Sequence, residues 1–247
     1  AAGEGTERSE AFLQEYFPDT TVLRVDRDST RKKGAMQEVF DTADSGESCI
    51  LVGTQMLAKG HHFENVTLVA VLDADSGLFS PDFRSHERMG QLLTQVAGRS
   101  GRGVARGRVI VQTHQPDHPL LALLIAQGYG HFASQLLPQR QLSQLPPFRY
   151  MAVIRAESKR PDEAEAFLRL ARKIAEKLRA PTPALSYLGP LPALMEKRAG
   201  RFRYVLQVDA DQRAALQTLL SAMAAELENH KDSRRLRWSI DVDPQEL

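Results

Sequence analysis

The chain has 247 residues, of which 42% are hydrophobic and 26% charged, and its formal net charge is +1. This composition is ordinary for globular domains, and the length suffices for two domains with cores of their own. No apolar run reaches membrane-spanning length and no signal peptide opens the chain, so we expect a cytoplasmic protein with no membrane partner. The single cysteine, Cys49, excludes an internal disulfide and a multi-cysteine zinc site, and its apolar neighbours predict a buried strand residue.

The first 115 residues have the pattern of an α/β lobe. Residues 6–17 predict an amphipathic helix with Thr6 as its N-cap, and a second helix is expected near 30–44. Apolar segments predict strands at 20–26, 49–53, 66–72 and 107–113. The segments at 49–53 and 66–72 show no clean polar alternation, which is typical of parallel strands that helices cover on both faces. We therefore predict a parallel-sheet lobe over residues 1–115.

Polar residues follow the predicted strand at 49–53. Thr54, Gln55 and Lys59 come at its carboxyl edge, where ligands bind in parallel α/β sheets. Gly60 permits a backbone geometry that brings amide groups close to a phosphate. The pattern indicates a ligand site, and an ordinary strand-to-helix loop is the alternative.

Residues 91–102 contain the most informative spacing in the chain. Gln95, Arg99 and Arg102 lie four and three residues apart, which places them on one face of a helix. Guanidinium groups bind phosphate oxygens with a planar fork, and two of them suit a polyphosphate whose charge grows during cleavage. A solvated basic helix end is the alternative.

The second half of the chain predicts a helical linker and a separate domain. A helix over 118–137, interrupted near Gly128, leads to Leu145-Pro-Pro147, which cannot continue a helix; we place the linker at 116–147. Residues 148–247 predict strands and helices in the order β-α-β-β-α-β, at 150–156, 161–179, 185–189, 201–208, 211–228 and 236–241. This order is that of a split βαβ, ferredoxin-like α+β domain.

Two basic segments of the predicted domain include aromatic residues. The first contains Lys197, Arg198, Arg201 and Arg203, with Phe202 and Tyr204; the second contains Arg234, Arg235, Arg237 and Trp238. Such cations neutralise phosphates, and aromatic rings stack on bases, so we expect contact with DNA through one or both segments. A docking surface for a protein partner and a merely solvated surface are the alternatives.

Three further groups of residues are less informative. His61 and His62 have no supporting ligands, and no metal site is predicted in this chain. Asp73 and Asp75 resemble a magnesium pair, but at the end of a buried strand a structural role is favoured. The aromatic and basic loop at 79–84 fits either contact with DNA or a lid over the lobe's core.

A series of motifs along the chain resembles one family. The motifs are Gly5-Thr-Glu7, Asp26–Thr30, Gly53–Phe63, Phe83-Arg-Ser85 with Glu87-Arg88, Gln95–Arg102, Leu145-Pro-Pro147, Gly189-Pro190 and Asp241–Pro244. In this order they resemble the PriA family of bacterial primosomal, replication-restart helicases of superfamily two. The resemblance covers essentially the whole chain, with 53–63 similar to helicase motif V and 95–102 to motif VI.

The resemblance implies a fold, an activity and a set of site residues. It implies a RecA-like second helicase lobe followed by a C-terminal domain likened to ribosomal S10. The implied activity is ATP-driven 3′→5′ unwinding of DNA at stalled or abandoned forks, together with primosome assembly. The implied catalytic residues are Gln95, Arg99 and Arg102. The implied nucleotide-binding residues are Lys59, Gly60, Arg99 and Arg102, and the implied DNA-binding residues are Thr54, Gln55 and Lys59. The composition of the basic segments, rather than the resemblance, adds these expected DNA-binding residues: Lys197, Arg198, Arg201, Arg203, Arg237 and Trp238.

Some parts of the family's machinery are absent from this sequence. Neither Gly-x-x-x-x-Gly-Lys-Ser/Thr nor Asp-Glu-x-His occurs, so we expect ATP and Mg²⁺ to be bound mainly by a first lobe, and this chain alone to be inactive. The family's cysteine-rich Zn²⁺ insert is also missing, as in a fragment that begins after it. Val96 replaces a common arginine, which leaves the division of roles between Arg99 and Arg102 open.

The expected partners are branched fork DNA, single-stranded DNA-binding protein and primosome proteins, all implied by the resemblance. Two other functions stay open at this point. One is a non-catalytic fork-binding or primosome scaffold. The other is a related helicase-like repair or remodelling enzyme, because motifs V and VI recur in such enzymes. Oligomeric state and the preferred fork structure are not readable from the sequence.

Overall fold

The computed structural model describes residues 4–26, 35–54, 66–98 and 107–246. Its contacts divide the chain into two compact units. The first unit comprises Ala1–Pro81 and Ser85–Ala133, and the second comprises Asp82–Arg84 and Ser134–Leu247. The sequence predicts domain boundaries after residues 115 and 147. A division by contacts does not test whether domains fold independently, so these boundaries stay predictions.

The first unit alternates helices with short parallel strands. In chain order its elements are α1 (Glu4–Tyr16), β1 (Thr21–Val25), α2 (Ala35–Asp44), β2 (Cys49–Gly53), β3 (Leu68–Val71), α3 (Asp75–Leu78), α4 (Ser85–Ala97) and β4 (Arg108–Val111). β1 pairs with β2 and β3 with β4, both in parallel register. Parallel pairing of strands that helices separate in the chain is the arrangement that the apolar segments predict.

One of these strand pairs, β3 with β4, is less buried than the sequence predicts. Leu68 on β3 and Ile110 on β4 are 54% and 48% exposed, and burial alternates along both strands. The expectation that the segment at 66–72 is covered on both faces is therefore wrong, because one face of this two-stranded pair is open to solvent. Cys49 lies on a strand as predicted, but it is half-buried rather than buried, and partial burial raises the pKa of its thiol.

A long helix, α5 (Pro119–Leu142), follows β4. Gly128, with φ +78° and ψ 178°, interrupts its helical path, close to where the sequence predicts an interruption. By length and composition alone, α5 is the one helix in the described ranges that is apolar enough to cross a membrane. Gly128 divides it into 119–127 and 129–142, and each part is shorter than the roughly 20 residues that a spanning helix needs.

The second unit contains a four-stranded antiparallel sheet. Its elements are β5 (Tyr150–Ser158), α6 (Pro161–Leu178), β6 (Leu185–Arg198), β7 (Arg201–Ala210), α7 (Arg213–Glu228), a 3₁₀ turn (Lys231–Arg234) and β8 (Arg237–Val242). The strand order is β6-β7-β5-β8, and every neighbouring pair is antiparallel. This is the order of a split βαβ fold, as the sequence of elements predicts.

The core of this unit lies between the sheet and its two helices. α6 begins with Pro161 followed by Asp162 and Glu163, and ends with Lys177 in its last turn. A proline at the first position and charges that oppose the helix dipole favour helix formation here. The largest buried side chains of this core include Ile154, Phe167, Leu168, Leu206, Leu216, Met223 and Leu227.

The sequence predicts a basic loop between the strands at 185–189 and 201–208, but the structure has a β-hairpin there. β6 continues to Arg198, beyond the predicted end at 189, and β7 begins at Arg201. Ala199 and Gly200 have φ values of +48° and +75°, the signs that a two-residue type I′ turn requires. The loop prediction is wrong because cross-strand pairing extends both strands up to this turn, and pairing over that distance is not visible in local sequence.

The chain beyond β8 is held against the second unit. The backbone N–H of Asp243 donates to the Met151 carbonyl at 2.9 Å, and the carbonyl of Glu246 accepts a hydrogen bond from Arg155. Arg84 Nε donates to the Pro244 carbonyl at 3.0 Å, and Pro244 is fully buried. The Asp241–Pro244 motif therefore anchors the end of the chain in this unit.

Candidate functional site

The helicase-like site of the first unit is described only in part. Thr54 follows β2 and is exposed, and Gln95 is exposed on α4. Five of the predicted site residues, Gln55, Lys59, Gly60, Arg99 and Arg102, lie outside the described residues, as do His61 and His62. Their predicted roles, and a common face for Gln95 and the two arginines, stay predictions.

α4 presents Gln95 to solvent because its opposite side is buried. Met89, Leu93 and Val96 are buried, and their spacing of four and three residues defines one helical face. Gln95 lies off that face, one residue before Val96. The backbone N–H of Gly98 donates to the Thr94 carbonyl at 3.0 Å, just beyond the end of the helix. The side chain of Gln95 is therefore accessible from solvent near the carboxyl end of α4.

Asp75 makes the most concentrated set of polar contacts near the parallel strands. It begins α3, while its partners Thr113 and His114 follow β4. Its Oδ1 accepts from the Thr113 hydroxyl at 2.5 Å, and its Oδ2 lies 2.6 Å from His114 Nδ1. The Thr113 hydrogen bond, followed by those from His114, lowers the pKa of Asp75 to about 2. These bonds tie the ends of β3 and β4 together.

Asp73, the second residue of the magnesium-like pair, also bonds within the lobe. Its φ is +55°, and its Oδ1 accepts from the backbone N–H of Ser76 at 3.2 Å. The Ser76 hydroxyl donates back to the Asp73 carbonyl at 2.9 Å. Both carboxylates are thus used to shape the turn from β3 into α3, which supports the structural role favoured from the sequence.

The amino-terminal motif residues form an ionic cluster. Arg24 Nη1 lies 2.7 Å from Glu7 Oε1, and its Nε lies 3.3 Å from Asp26 Oδ2. The Thr6 hydroxyl donates to the same Asp26 oxygen at 2.9 Å. The N-cap prediction for Thr6 is wrong, because α1 already begins at Glu4 and the Thr6 side chain bonds across to the end of β1. The cluster fixes α1 against β1.

The aromatic and basic loop at 79–84 contains two different environments. Phe79 is 62% exposed and meets His118 edge-on, with ring centroids 6.1 Å apart. The Phe83 ring is close to two guanidinium groups, with Arg84 Cζ at 5.0 Å and Arg140 Cζ at 5.2 Å from its centroid. Phe83 is therefore in contact with side chains of its own unit, whereas most of the Phe79 ring is exposed to solvent.

The hairpin of β6 and β7 carries the first basic segment. Lys197 and Arg198 are exposed, and Lys197 Nζ lies 4.7 Å from the centroid of the Phe202 ring. Arg203 is different, because its side chain is 20% exposed and its Nε lies 3.0 Å from Glu157 Oε1. The predicted DNA-binding cations of this hairpin thus differ: Lys197 and Arg198 are exposed, Arg201 is half-buried, and a carboxylate already neutralises Arg203.

The second basic segment leads into β8. Arg237 is exposed and stands opposite Glu157 in the sheet register, so Glu157 has Arg203 on one side and Arg237 on the other. Trp238 points to the other face, where its ring centroid lies 5.7 Å from that of Phe167 in the core. The structure gives Trp238 a packing role, and its contact with DNA stays a prediction.

The sequence did not indicate two exposed apolar residues of β6. Leu194 and Met195 are 58% and 49% exposed, immediately before the basic turn. They lie where the β6–β7 register shifts, between Pro192 and Lys197. The available signal was the pair of prolines at 190 and 192, which marks β6 as an edge strand where irregular pairing is tolerated.

Comparison with known proteins identifies both halves of the chain. Residues 4–104 match the helicase conserved C-terminal domain, and residues 141–245 match the primosomal protein N C-terminal domain. The first match makes the parallel-stranded lobe RecA-like and confirms the predicted α/β fold class.

Curated relatives align along nearly the whole chain. Replication restart protein PriA of Haemophilus influenzae is 47% identical over 99% of this chain. The proteins of the same name from Bacillus subtilis and Rickettsia felis are 37% and 34% identical, each over 98% of it. The chain spans about a third of the length of these relatives, covering 33%, 30% and 36% of them.

Proposed function

Because the chain belongs to the PriA family of replication restart proteins, we propose that it forms the C-terminal part of an ATP-dependent 3′→5′ DNA helicase. The intact protein would bind stalled or abandoned replication forks and initiate primosome assembly. The observation that carries this proposal is the pairing, in one chain, of a helicase C-terminal domain at 4–104 with a primosomal C-terminal domain at 141–245.

In this proposal the first unit acts on a nucleotide held mainly by another lobe. ATP with Mg²⁺ supplies the phosphoryl group whose hydrolysis drives movement along DNA. Arg99 and Arg102 would stabilise the charge that develops on the phosphates, with Gln95 as their polar neighbour. Lys59 and Gly60 would approach the nucleotide. The exposed position of Gln95 on α4 supports this arrangement.

The same unit would also contact the DNA backbone. Thr54, Gln55 and Lys59 follow the carboxyl end of β2, the edge at which parallel α/β sheets bind their ligands. The exposed position of Thr54 fits this role. These residues lie close in sequence to Gly60, the proposed nucleotide-binding glycine. Opening and closing of the lobes would therefore move DNA past them.

The second unit would supply a further DNA interface. Lys197, Arg198, Arg201 and Arg237 would neutralise phosphates of fork DNA, which requires no base-specific contacts. Arg203 and Trp238 belong to the predicted interface as well, and in the structure both stabilise the sheet that presents it. The proposed protein partners are single-stranded DNA-binding protein and primosome proteins, and the proposed location is the cytoplasm. Zn²⁺ would be bound only by the family's cysteine-rich insert, which this sequence lacks.

The proposal is tested by Arg99→Ala in the full-length protein. We expect this change to abolish most DNA-stimulated ATPase activity while fork binding is retained, because only the transition-state charge loses its partner. Arg8→Ala, at an exposed position on α1, is the matched control. Equal loss of ATPase and fork binding would contradict the catalytic role. A full-length protein that binds forks without any ATPase activity would instead establish the scaffold function.

A further inference from the structure

Edge strand β6 contains a wide bulge opposite β7. Pro192 pairs with Tyr204 and Lys197 with Phe202, so the four β6 residues 193–196 face a single β7 residue, Arg203. Ala193 is 6% exposed and anchors the start of the bulge in the unit. Leu194 and Met195 are turned into solvent. Bulges redirect side chains at the edges of sheets and are frequent next to functional sites.

Arg203 holds the bulge in place. Its Nη1 donates to the carbonyl of Met195 at 3.5 Å, while its Nε lies 3.0 Å from Glu157 Oε1 on the neighbouring strand β5. A guanidinium that is paired in this way fixes the backbone of the bulge to the middle of the sheet. The exposure of Leu194 and Met195 is therefore determined by contacts within the hairpin and the sheet.

The surroundings of these two apolar residues are cationic. Lys197 and Arg198 follow Met195 within about 10 Å along an extended strand, and Arg201 faces Arg198 across the turn. Glu196, also exposed, is the one carboxylate between residues 194 and 203. An exposed apolar pair beside several cations matches a ligand that offers both a flat apolar surface and closely spaced negative charges.

We propose that Leu194 and Met195 form an apolar wedge that packs against the last base pair at a DNA junction. The neighbouring cations Lys197, Arg198 and Arg201 would hold the flanking phosphates. A base-pair face is apolar and is exposed only where a duplex ends or splits, and aliphatic side chains are used in this way by proteins that unstack DNA. The inference deepens the proposed fork-binding function and depends on it.

The test uses the full-length protein and three DNA molecules of equal size. These are a fork with 2-aminopurine beside its junction, a single strand, and a dumbbell duplex without free ends. The double variant Leu194→Ser with Met195→Ser removes the apolar pair and keeps every charge. Leu188→Ser is the matched control, because Leu188 is 53% exposed on the same strand but lies before the bulge.

We expect the double variant to bind the fork about tenfold more weakly, which corresponds to about 1.4 kcal/mol. Its binding to the single strand and the dumbbell should be unchanged, and the rise in 2-aminopurine fluorescence at the junction should be lost. The Leu188→Ser variant should behave like the wild type. Circular dichroism should be the same for all variants, because only exposed side chains change.

A charge variant separates the wedge from the phosphate contacts. Removal of Lys197, Arg198 and Arg201 together by alanine should weaken binding to all three DNAs and lower the slope of log affinity against log salt. Arg203 is left intact because it holds the bulge.

Other outcomes would overturn the wedge. If the double variant weakens binding to all three DNAs equally, Leu194 and Met195 have no junction-specific role. If it binds every DNA as the wild type does, DNA contact stands without the wedge, and the wedge proposal fails. If the wild-type protein binds no fork at all, the proposed DNA-binding function fails together with the wedge.

Discussion

Gly90 on α4 lies so close to Phe132 on α5 that a Cβ at residue 90 would be 2.4 Å from Phe132 Cε1. The Phe132 ring is fully buried, with 0% of its surface exposed. A helical glycine normally destabilises a helix by about 1 kcal/mol relative to alanine. Here the absence of a side chain lets an aromatic ring pack directly on the helix that carries Gln95, so this contact sets the position of the candidate site's helix.

Gly90→Ala is expected to destabilise the first unit. The added methyl group clashes with a ring that has no free space, and overpacking of this kind costs about 1–3 kcal/mol, which exceeds the gain in helix propensity. Thermal unfolding should show a lower Tm. Gly130→Ala on α5 is the matched control, because a Cβ there meets nothing within 4 Å. An unchanged or higher Tm for Gly90→Ala would mean that Phe132 can move aside.

The low pKa of Asp75 predicts that the stability of the protein changes with pH in the acid range. Its folded pKa of about 2 is below the ordinary value of 3.8, so the folded state binds this proton less tightly than the unfolded chain does. The carboxylate therefore contributes stability above pH 3.8, and that contribution is lost as the pH falls through about 2. Urea unfolding at several pH values should show Asp75→Asn less stable than wild type at pH 7, with the difference disappearing near pH 2.

The cause of this low pKa is tested separately. The Thr113 hydroxyl makes the largest contribution, so Thr113→Val should raise the pKa of Asp75 when its carboxyl carbon is followed by NMR. Asp117→Asn, at an exposed position, is the control for Asp75→Asn, because it also removes one negative charge. No movement of the Asp75 titration in Thr113→Val would show that the 2.5 Å hydrogen bond does not carry the effect.

The raised pKa of Asp209 predicts the opposite dependence of stability on pH. Its side chain lies on β7, is 8% exposed, and accepts from Gln207 Nε2 at 2.9 and 3.1 Å. Burial raises the pKa of this carboxyl, so its charged form is disfavoured in the folded state. The free energy of unfolding therefore decreases as the pH rises through the pKa that Asp209 has in the folded state. The free energy of unfolding of Asp209→Asn, minus that of wild type, should increase from acid to neutral pH; a decrease would contradict the burial argument.

The order of elements was predictable from the sequence, because each element has a local pattern. The β-α-β-β-α-β order of the second unit follows from periodicity within short segments, and the sheet confirms it. The Gly90–Phe132 contact joins residues 42 positions apart, and the β6 bulge depends on how two strands align. The prolines at 190 and 192 mark β6 as an edge strand, but neither the contact nor the position of the bulge can be located from local sequence, since register is decided by pairing across the sheet.

Trp238 shows how the pattern of a strand decides between two interpretations. Its basic neighbours favoured a surface role, yet Trp238, Ile240 and Val242 alternate along β8 and all pack against the core. A period of two is the signature of a half-buried strand, and it places Arg237 on the opposite face. Alternation was therefore a better guide to this side chain than the local charge.

Arg198 and Arg203 should differ in their contribution to DNA binding although both belong to the basic hairpin. Arg198 is exposed, whereas Glu157 already neutralises Arg203, whose side chain is 20% exposed. In the full-length protein, Arg198→Ala should lower the slope of log affinity against log salt by about 0.9, the value for one lost phosphate contact. Arg203→Ala should change that slope less and reduce the Tm more, because it breaks the tie to Glu157 and Met195. A larger change in slope for Arg203→Ala would show that DNA displaces Glu157 and takes over this guanidinium.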